Sequence, residues 1–201
     1  IREVATGGER HITNLGFDGG FAESSRISPD GRWVAYTWYE PESDSTNAGL
    51  GPSIRVIPIQ GGESRMLVGT ENRFAMPFDW SADGGQVLVG LTRPDGVTRI
   101  GLVDVDDAEF HLVTSVEGAR LGYVAMSPDA RYVAYDRQRG EGSSDRTVHI
   151  VGVDGRRDRE VTAPGGNSSV LGWEPTGRHL LYYGDHSGSP SVWALPTREG
   201  R

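Results

Sequence analysis

Apolar residues in this chain come in short runs punctuated by Gly, Pro, Asp and Ser, with no helical periodicity longer than a single turn. The stretch 121–140, LGYVAMSPDARYVAYDRQRG, shows the pattern most clearly. A short apolar strand ends at Met126, a tight turn spans Ser127 to Ala130, and a second strand runs from Tyr132 to Tyr135. Pro128 suits the first central turn position because its φ is already fixed, and Asp129 suits the next. Beyond a polar loop from Gly140 to Arg146 come a third strand, TVHIVGV (147–153), a turn at Asp154-Gly155, and a fourth strand, REVTA (159–163). Four strands joined by tight turns predict one antiparallel unit, and the chain as a whole is predicted to be all-β.

The same punctuation recurs. Ser28-Pro29-Asp30-Gly31 returns as Ser81-Ala82-Asp83-Gly84, as Ser127-Pro128-Asp129-Ala130 and, in eroded form, as Glu174-Pro175-Thr176-Gly177, at steps of 53, 46 and 47 residues. Each phrase precedes an apolar run: RWVAY (32–36), GQVLV (85–89), RYVAY (131–135) and RHLLY (178–182). Third strands are predicted at 53–59, 98–105 and 191–197, and fourth strands at 64–68 and 110–114. A period of this size marks a repeat architecture, and a four-stranded antiparallel repeat is the blade of a β-propeller. Neighbouring blades bury their apolar faces against each other, so a single copy would be unstable. The blades are expected at about 15–68, 69–114, 115–163 and 164–201. Residues 1–14 align with 150–163, so they are expected to supply the fourth strand of the last blade. That arrangement would close a four-blade ring and hide both sheet edges. The preferred alternative is a part of a larger propeller, completed by further blades or by a second copy.

The Ser-Pro-Asp-Gly phrase, the apolar strand ending in an aromatic, and the later strand IRVIPIQGGES (54–64) together resemble the TolB-type propeller repeat, which is related in form to the WD-repeat. The resemblance runs from Ile1 to Arg201. Its departures are local: Ala82 replaces Pro, Ala130 replaces Gly, and the fourth phrase keeps only Pro175 and Gly177. TolB-like propellers usually have six or more blades, which favours the larger ring. The resemblance implies a non-catalytic scaffold for a protein or peptide partner, in a periplasmic or otherwise extracytoplasmic setting. It also implies an alternative, the substrate-gating propeller of a prolyl-oligopeptidase-type serine peptidase, whose nucleophile would lie in an α/β domain outside this sequence.

Composition narrows the chemistry. The formal net charge of the 201 residues is −8, and the basic residues are scattered, which argues against a nucleic-acid partner. All 20 of those basic residues are Arg, so no lysine is present for a Schiff base or a phosphate cradle. The absence of Cys excludes disulfides, thiolate catalysis and thiolate-bound metal. No apolar run approaches the roughly 18 residues of a membrane helix. No secretory signal is visible, and a start at Ile1 rather than Met leads to the expectation that a preceding segment was removed or left out.

Several candidate sites have simpler structural readings. The five histidines show no metal-ligand spacing. Asp104, Asp106, Asp107 and Glu109 fall on a third-to-fourth strand turn, and Gly184 to Gly188 falls on a blade loop without the G-x-S-x-G order. Asn167-Ser168-Ser169 fits a glycosylation sequon within a Gly-rich turn. Asp30, Asp83 and Asp129 are explained by turn formation. No metal or cofactor is predicted. The residues entering the first strands, near a central channel, are better binding candidates: Phe21, Glu23, Ser24, Phe74, Met76, Pro77, Tyr123 and Ser169. The long loop from Tyr39 through Glu40 to Gly51 adds to them. Loops that converge on a concave scaffold favour ligand sites. The site is therefore expected among Glu23, Ser24, Phe74, Met76, Tyr123, Tyr39 and Glu40, with packing between blades as the competing role for the aromatics.

Overall fold

The computed structural model describes residues 2, 4–13, 20–40, 50–118, 120–140, 142–162 and 166–197. Fifteen β-strands are present among them, in four antiparallel sheets. The first blade comprises β1 (Phe21–Ile27), β2 (Trp33–Tyr39), β3 (Ser53–Pro58) and β4 (Arg65–Val68). The second comprises β5 (Phe74–Trp80), β6 (Gln86–Thr92), β7 (Thr98–Asp104) and β8 (Phe110–Val116). The third comprises β9 (Leu121–Met126), β10 (Tyr132–Gln138), β11 (Arg146–Gly152) and β12 (Arg159–Glu160). The fourth has three strands, β13 (Ser168–Trp173), β14 (His179–Gly184) and β15 (Ser191–Pro196). Strand order follows chain order in every sheet. The fold is a β-propeller of up-and-down blades, as the repeats predict.

The second strands read as unbroken apolar runs because both of their faces are buried. Val87, Val89 and Leu91 of β6 pack with Ala35, Ile54 and Val56 of the first blade. Leu88 points the other way and packs with Val124, Val133 and Tyr135 of the third. Ala134, Val148 and Ile150 of the third blade meet Val170, Leu180 and Tyr182 of the fourth. Each buried Val, Leu or Ile among them contributes about 1.5–3 kcal/mol by leaving water, and these layers between blades are where the repeats stabilise one another.

One expectation is corrected. Residues 1–14 were to complete the fourth blade, yet among the described residues no strand pairs with the free edge of β15. Arg2 and Glu9 instead bridge each other, Arg10 donates to the Ile59 carbonyl, and Ile12 packs on Val34, Tyr36, Trp38 and Ile57. The described residues of this segment thus turn back at the Arg2–Glu9 bridge and lie, through Ile12, on the face of the first blade away from the second. Among the described residues no apolar cluster joins the first blade to the fourth, so the packing runs as a row rather than a closed ring.

The repeated phrase forms the hairpin between first and second strands, in one geometry three times over. Ser28 Oγ donates to Asp30 Oδ1 at 2.6 Å and accepts the Trp33 N–H at 2.9 Å, while Asp30 Oδ1 accepts the Arg32 N–H at 3.0 Å. Ser81 with Asp83 and Ser127 with Asp129 repeat all three bonds. In the fourth blade one longer carboxylate, Glu174, accepts the Thr176 and Arg178 N–H groups itself. These bonds favour the ionised form. They hold the Asp30 and Glu174 carboxyls down to about 2 and lower those of Asp83 and Asp129, with the Ser28, Thr176, Ser81 and Ser127 hydroxyls the leading causes. The last turn position needs a left-handed backbone, which Gly31, Gly84 and Gly177 supply and Ala130 adopts at φ 55°.

Candidate functional site

Antiparallel pairing puts the start of each first strand beside the end of the second, as in the pair Phe21 and Tyr39, so the strand entrances lie at the end of the blade opposite the Ser-Asp turns. The expected site residues divide there into two groups. On the first blade, Phe21 stacks on Tyr39 with ring centroids 4.5 Å apart, and the Tyr39 hydroxyl lies close enough to the Glu23 carboxylate to feel its charge. Partial burial and then the Glu23 charge raise the Tyr39 pKa. Glu40 pairs with Arg55, whose guanidinium lies 5.7 Å from the Trp38 ring centre. Ser24 has φ 51° inside a β-bulge between Glu23 and Arg26, so it bends β1 rather than presenting a reactive hydroxyl. These polar groups satisfy one another. Most of the loop beyond Glu40, residues 41–49, lies outside the described residues.

The second group surrounds an open groove. It has a volume of about 1010 Å³, runs between the second and third blades, and is lined by Phe74, Thr92, Thr98, Arg120, Leu121 and Gln138. Phe74 opens β5 and is 36% exposed. The two other candidates on these blades sit apart from the lining: Met76 packs half-buried into the core between the blades, and Tyr123 stands edge-on to Phe78 at 6.4 Å. Pro77 is buried, and Ser169 is half-buried in the ladder with Tyr183.

The groove's polar groups are unevenly engaged. Asp95 on its rim accepts Arg99 Nη2 at 2.9 Å and the Val97 N–H at 2.9 Å, and this pairing, led by Arg99, lowers its pKa. The Thr92 and Thr98 hydroxyls bond each other at 2.8 Å. Gln138 Oε1 accepts the Arg120 N–H at 3.1 Å. The Arg120 guanidinium and the Gln138 side-chain NH₂ have no partner among the described residues. Sequence reading missed both, because nothing in the local text marks one arginine of 20 as unpaired.

A second polar cluster has a structural role. Tyr135 Oη donates to Asp158 at 2.8 and 2.9 Å, Thr114 Oγ1 of the second blade donates to Asp158 Oδ2 at 2.9 Å, and His149 stacks on Tyr135 at 5.1 Å. Burial, reinforced by Asp158, raises the Tyr135 pKa; burial also pushes Asp158 up, but the adjacent His149, 3.7 Å away, and the bonds from Tyr135 and Thr114 outweigh it and lower its pKa. The cluster fastens the second blade to the third. Asn167, in the sequon, accepts the Arg146 N–H at 3.0 Å through its side chain, and Ser168 is buried.

No protein-family model and no curated protein matches the sequence. Solved structures match the fold. TolB from Acinetobacter baumannii aligns with a TM-score of 0.60 and 13% identity, over 90% of this chain and 55% of that one. A structure described as TolB from Agrobacterium tumefaciens aligns at 0.65 with 21% identity, over 90% and 64%. A prolyl endopeptidase aligns at 0.72 with 20% identity, over 98% and 31%, and a protein described as a dipeptidyl aminopeptidase IV from Bacteroides ovatus at 0.73 with 11%, over 96% and 36%. The chain thus spans between about a third and two thirds of the length of these proteins. At such identities the likeness concerns the fold, and the chain forms four blades of a β-propeller like those of TolB and the prolyl peptidases.

Proposed function

We propose that the chain is a non-catalytic propeller scaffold that binds a protein or peptide partner in the groove between its second and third blades. The groove itself carries this reading: it lies where the strand entrances of two blades converge, exposes Phe74 beside the half-buried Leu121, and is large enough for several residues of an extended peptide. Among the described residues its lining holds no Ser or His, and Asp95 is occupied by Arg99. Selection of peptides from a displayed library on the purified chain is expected to yield ligands whose binding is lost in Phe74→Ala. Ligands indifferent to Phe74→Ala would move the site elsewhere, and hydrolysis of peptide esters by the chain would overturn the non-catalytic half.

The higher TM-scores with the peptidases, 0.72 and 0.73, support a second reading in which the propeller gates a peptidase domain of a longer protein. A G-x-S-x-G followed by Asp and His downstream in the parent gene would favour it. An envelope scaffold predicts a signal peptide and a small N-terminal domain instead.

A further inference from the structure

We infer that the groove recognises an extended segment carrying an internal Asp or Glu next to an apolar residue, with Arg120 and Gln138 holding the side-chain carboxylate and Phe74 and Leu121 the apolar neighbour. The inference rests on the groove reading above. It follows from which polar groups there are satisfied. Among the described lining residues the one carboxylate, Asp95, is paired with Arg99, and the two threonine hydroxyls satisfy each other. What remains unpaired among the described residues is two donors: the Arg120 guanidinium and the Gln138 NH₂. Gln138 Oε1 already accepts the Arg120 backbone N–H, which ties the end of β10 to the residue before β9 and brings both residues to the same part of the groove lining. A guanidinium fork beside an amide donor matches an acceptor with two oxygens.

Charge decides the class of ligand further. The chain carries −8 overall, so a polyanion would be repelled, whereas one carboxylate flanked by apolar side chains meets the local cation without a large opposing field. Thr92 and Thr98 on the second-blade wall and Gln138 on the third-blade wall flank the start of β9, leaving polar partners on both sides of the anchored carboxylate. This favours a side chain within a continuing segment over a chain terminus.

The test is fluorescence anisotropy on the whole chain with four labelled twelve-residue peptides. One has a central Glu between Leu and Phe, a second has Gln in place of Glu, a third has Lys, and a fourth is the Gln peptide with a free C-terminal carboxylate as its only acid. The Glu peptide is expected to bind roughly tenfold or more tightly than the Gln and Lys peptides, as a charge-assisted bidentate contact should. Arg120→Gln is expected to erase that preference, with an unaltered circular dichroism spectrum showing that the variant is folded. Arg120→Lys should keep only part of the preference because it loses the fork. Equal binding of the Glu and Gln peptides, or a preference that survives Arg120→Gln, overturns the carboxylate assignment; if Phe74→Ala still abolishes binding, the groove reading stands without it. Tighter binding of the fourth peptide than the first overturns the internal side chain as the source. No binding of any peptide up to about 1 mM overturns both readings.

Discussion

The joint between the second and third blades and the joint between the third and fourth answer one packing question in opposite ways. In both, the fifth residue of the second strand faces the first strand of the next blade. In the third blade this is Asp136, 1% exposed, whose carboxylate pairs with Arg146 and accepts the Tyr123 N–H at 3.0 Å and the Val170 N–H of β13 at 3.1 Å. In the second it is Gly90, against which Phe78 and Leu121 pack. The position opening the third strand differs in step: Arg146 fills the third-to-fourth joint, while Thr98, with Leu121, lines the open groove. A joint filled by a charged pair becomes a fastening, and one filled by glycine and small hydroxyls leaves a cavity that a ligand can use. The joint between the first two blades is intermediate, with Thr37 Oγ1 donating to the Ala75 carbonyl at 2.8 Å.

The sharpest way to break this comparison is at the filled joint. Asp136→Ala removes two bonds between strands, one of them between blades, and leaves Arg146, whose side chain is only 19% exposed, without its counter-charge. Breaking a buried pair from one side costs about 3–5 kcal/mol. Urea unfolding is expected to show a loss of that order. A loss under about 1 kcal/mol would mean that the apolar contacts of Ala134 and Leu180 fasten the fourth blade without the carboxylate.

At the open joint the corresponding change is an addition. A Cβ at residue 90 would lie 2.7 Å from Phe78 Cε2 and 3.2 Å from Leu121 Cδ2. Gly90→Ala must therefore push Phe78 or Leu121 aside, at a cost of about 1–3 kcal/mol for overpacking. Because Leu121 lines the groove, the same variant is expected to weaken peptide binding, whereas Asp136→Ala should alter stability first. Calorimetry together with the anisotropy titration separates the two. A variant that leaves both unchanged would show that the joint has slack and that glycine is not what sets the groove floor.

The contrast between joints was largely hidden in the sequence, although the blades were not. Ser-Asp turns and apolar second strands are local patterns whose geometry is set within a few residues, which is why β2, β6, β10 and β14 fall where the repeats put them. Fourth strands depend on what lies beside them: of the strand expected at REVTA (159–163), the described residues form Arg159–Glu160, paired with Ile150 and His149, while the strand expected at 110–114 extends to Val116. The first 14 residues share a pattern with 150–163 but not its neighbours, so Ile12 finds Ile57 instead of β15. Of the expected site residues, Phe74 lines the groove, because its place at a strand entrance is a repeat feature. Arg120 and Gln138 are distinguished by side-chain donors that have no partner among the described residues, a property that exists only once distant residues have packed.

The smallest predicted effect concerns the carboxylate at the open joint. Asp79 Oδ2 accepts the Met126 N–H of β9 at 3.1 Å and Oδ1 accepts the Trp80 N–H at 2.9 Å, but no Arg146 stands beside it; burial is the leading influence and raises its pKa, with those two bonds and the Arg26 charge opposing. An acid whose pKa is raised on folding binds its proton more tightly in the folded state. Its contribution to stability is therefore fully present below the unfolded value near 3.8 and is lost as pH rises through the folded value, the reverse of the turn carboxylates Asp30 and Glu174. Asp79→Asn removes that titration. The stability difference between wild type and Asp79→Asn, followed by urea unfolding from pH 7 downward, is expected to shift in favour of wild type as Asp79 protonates, and to level off near pH 4. A shift in the opposite direction would mean that Arg26 and the two N–H donors outweigh burial, which would make the open joint, like the filled one, held by an ionised carboxylate.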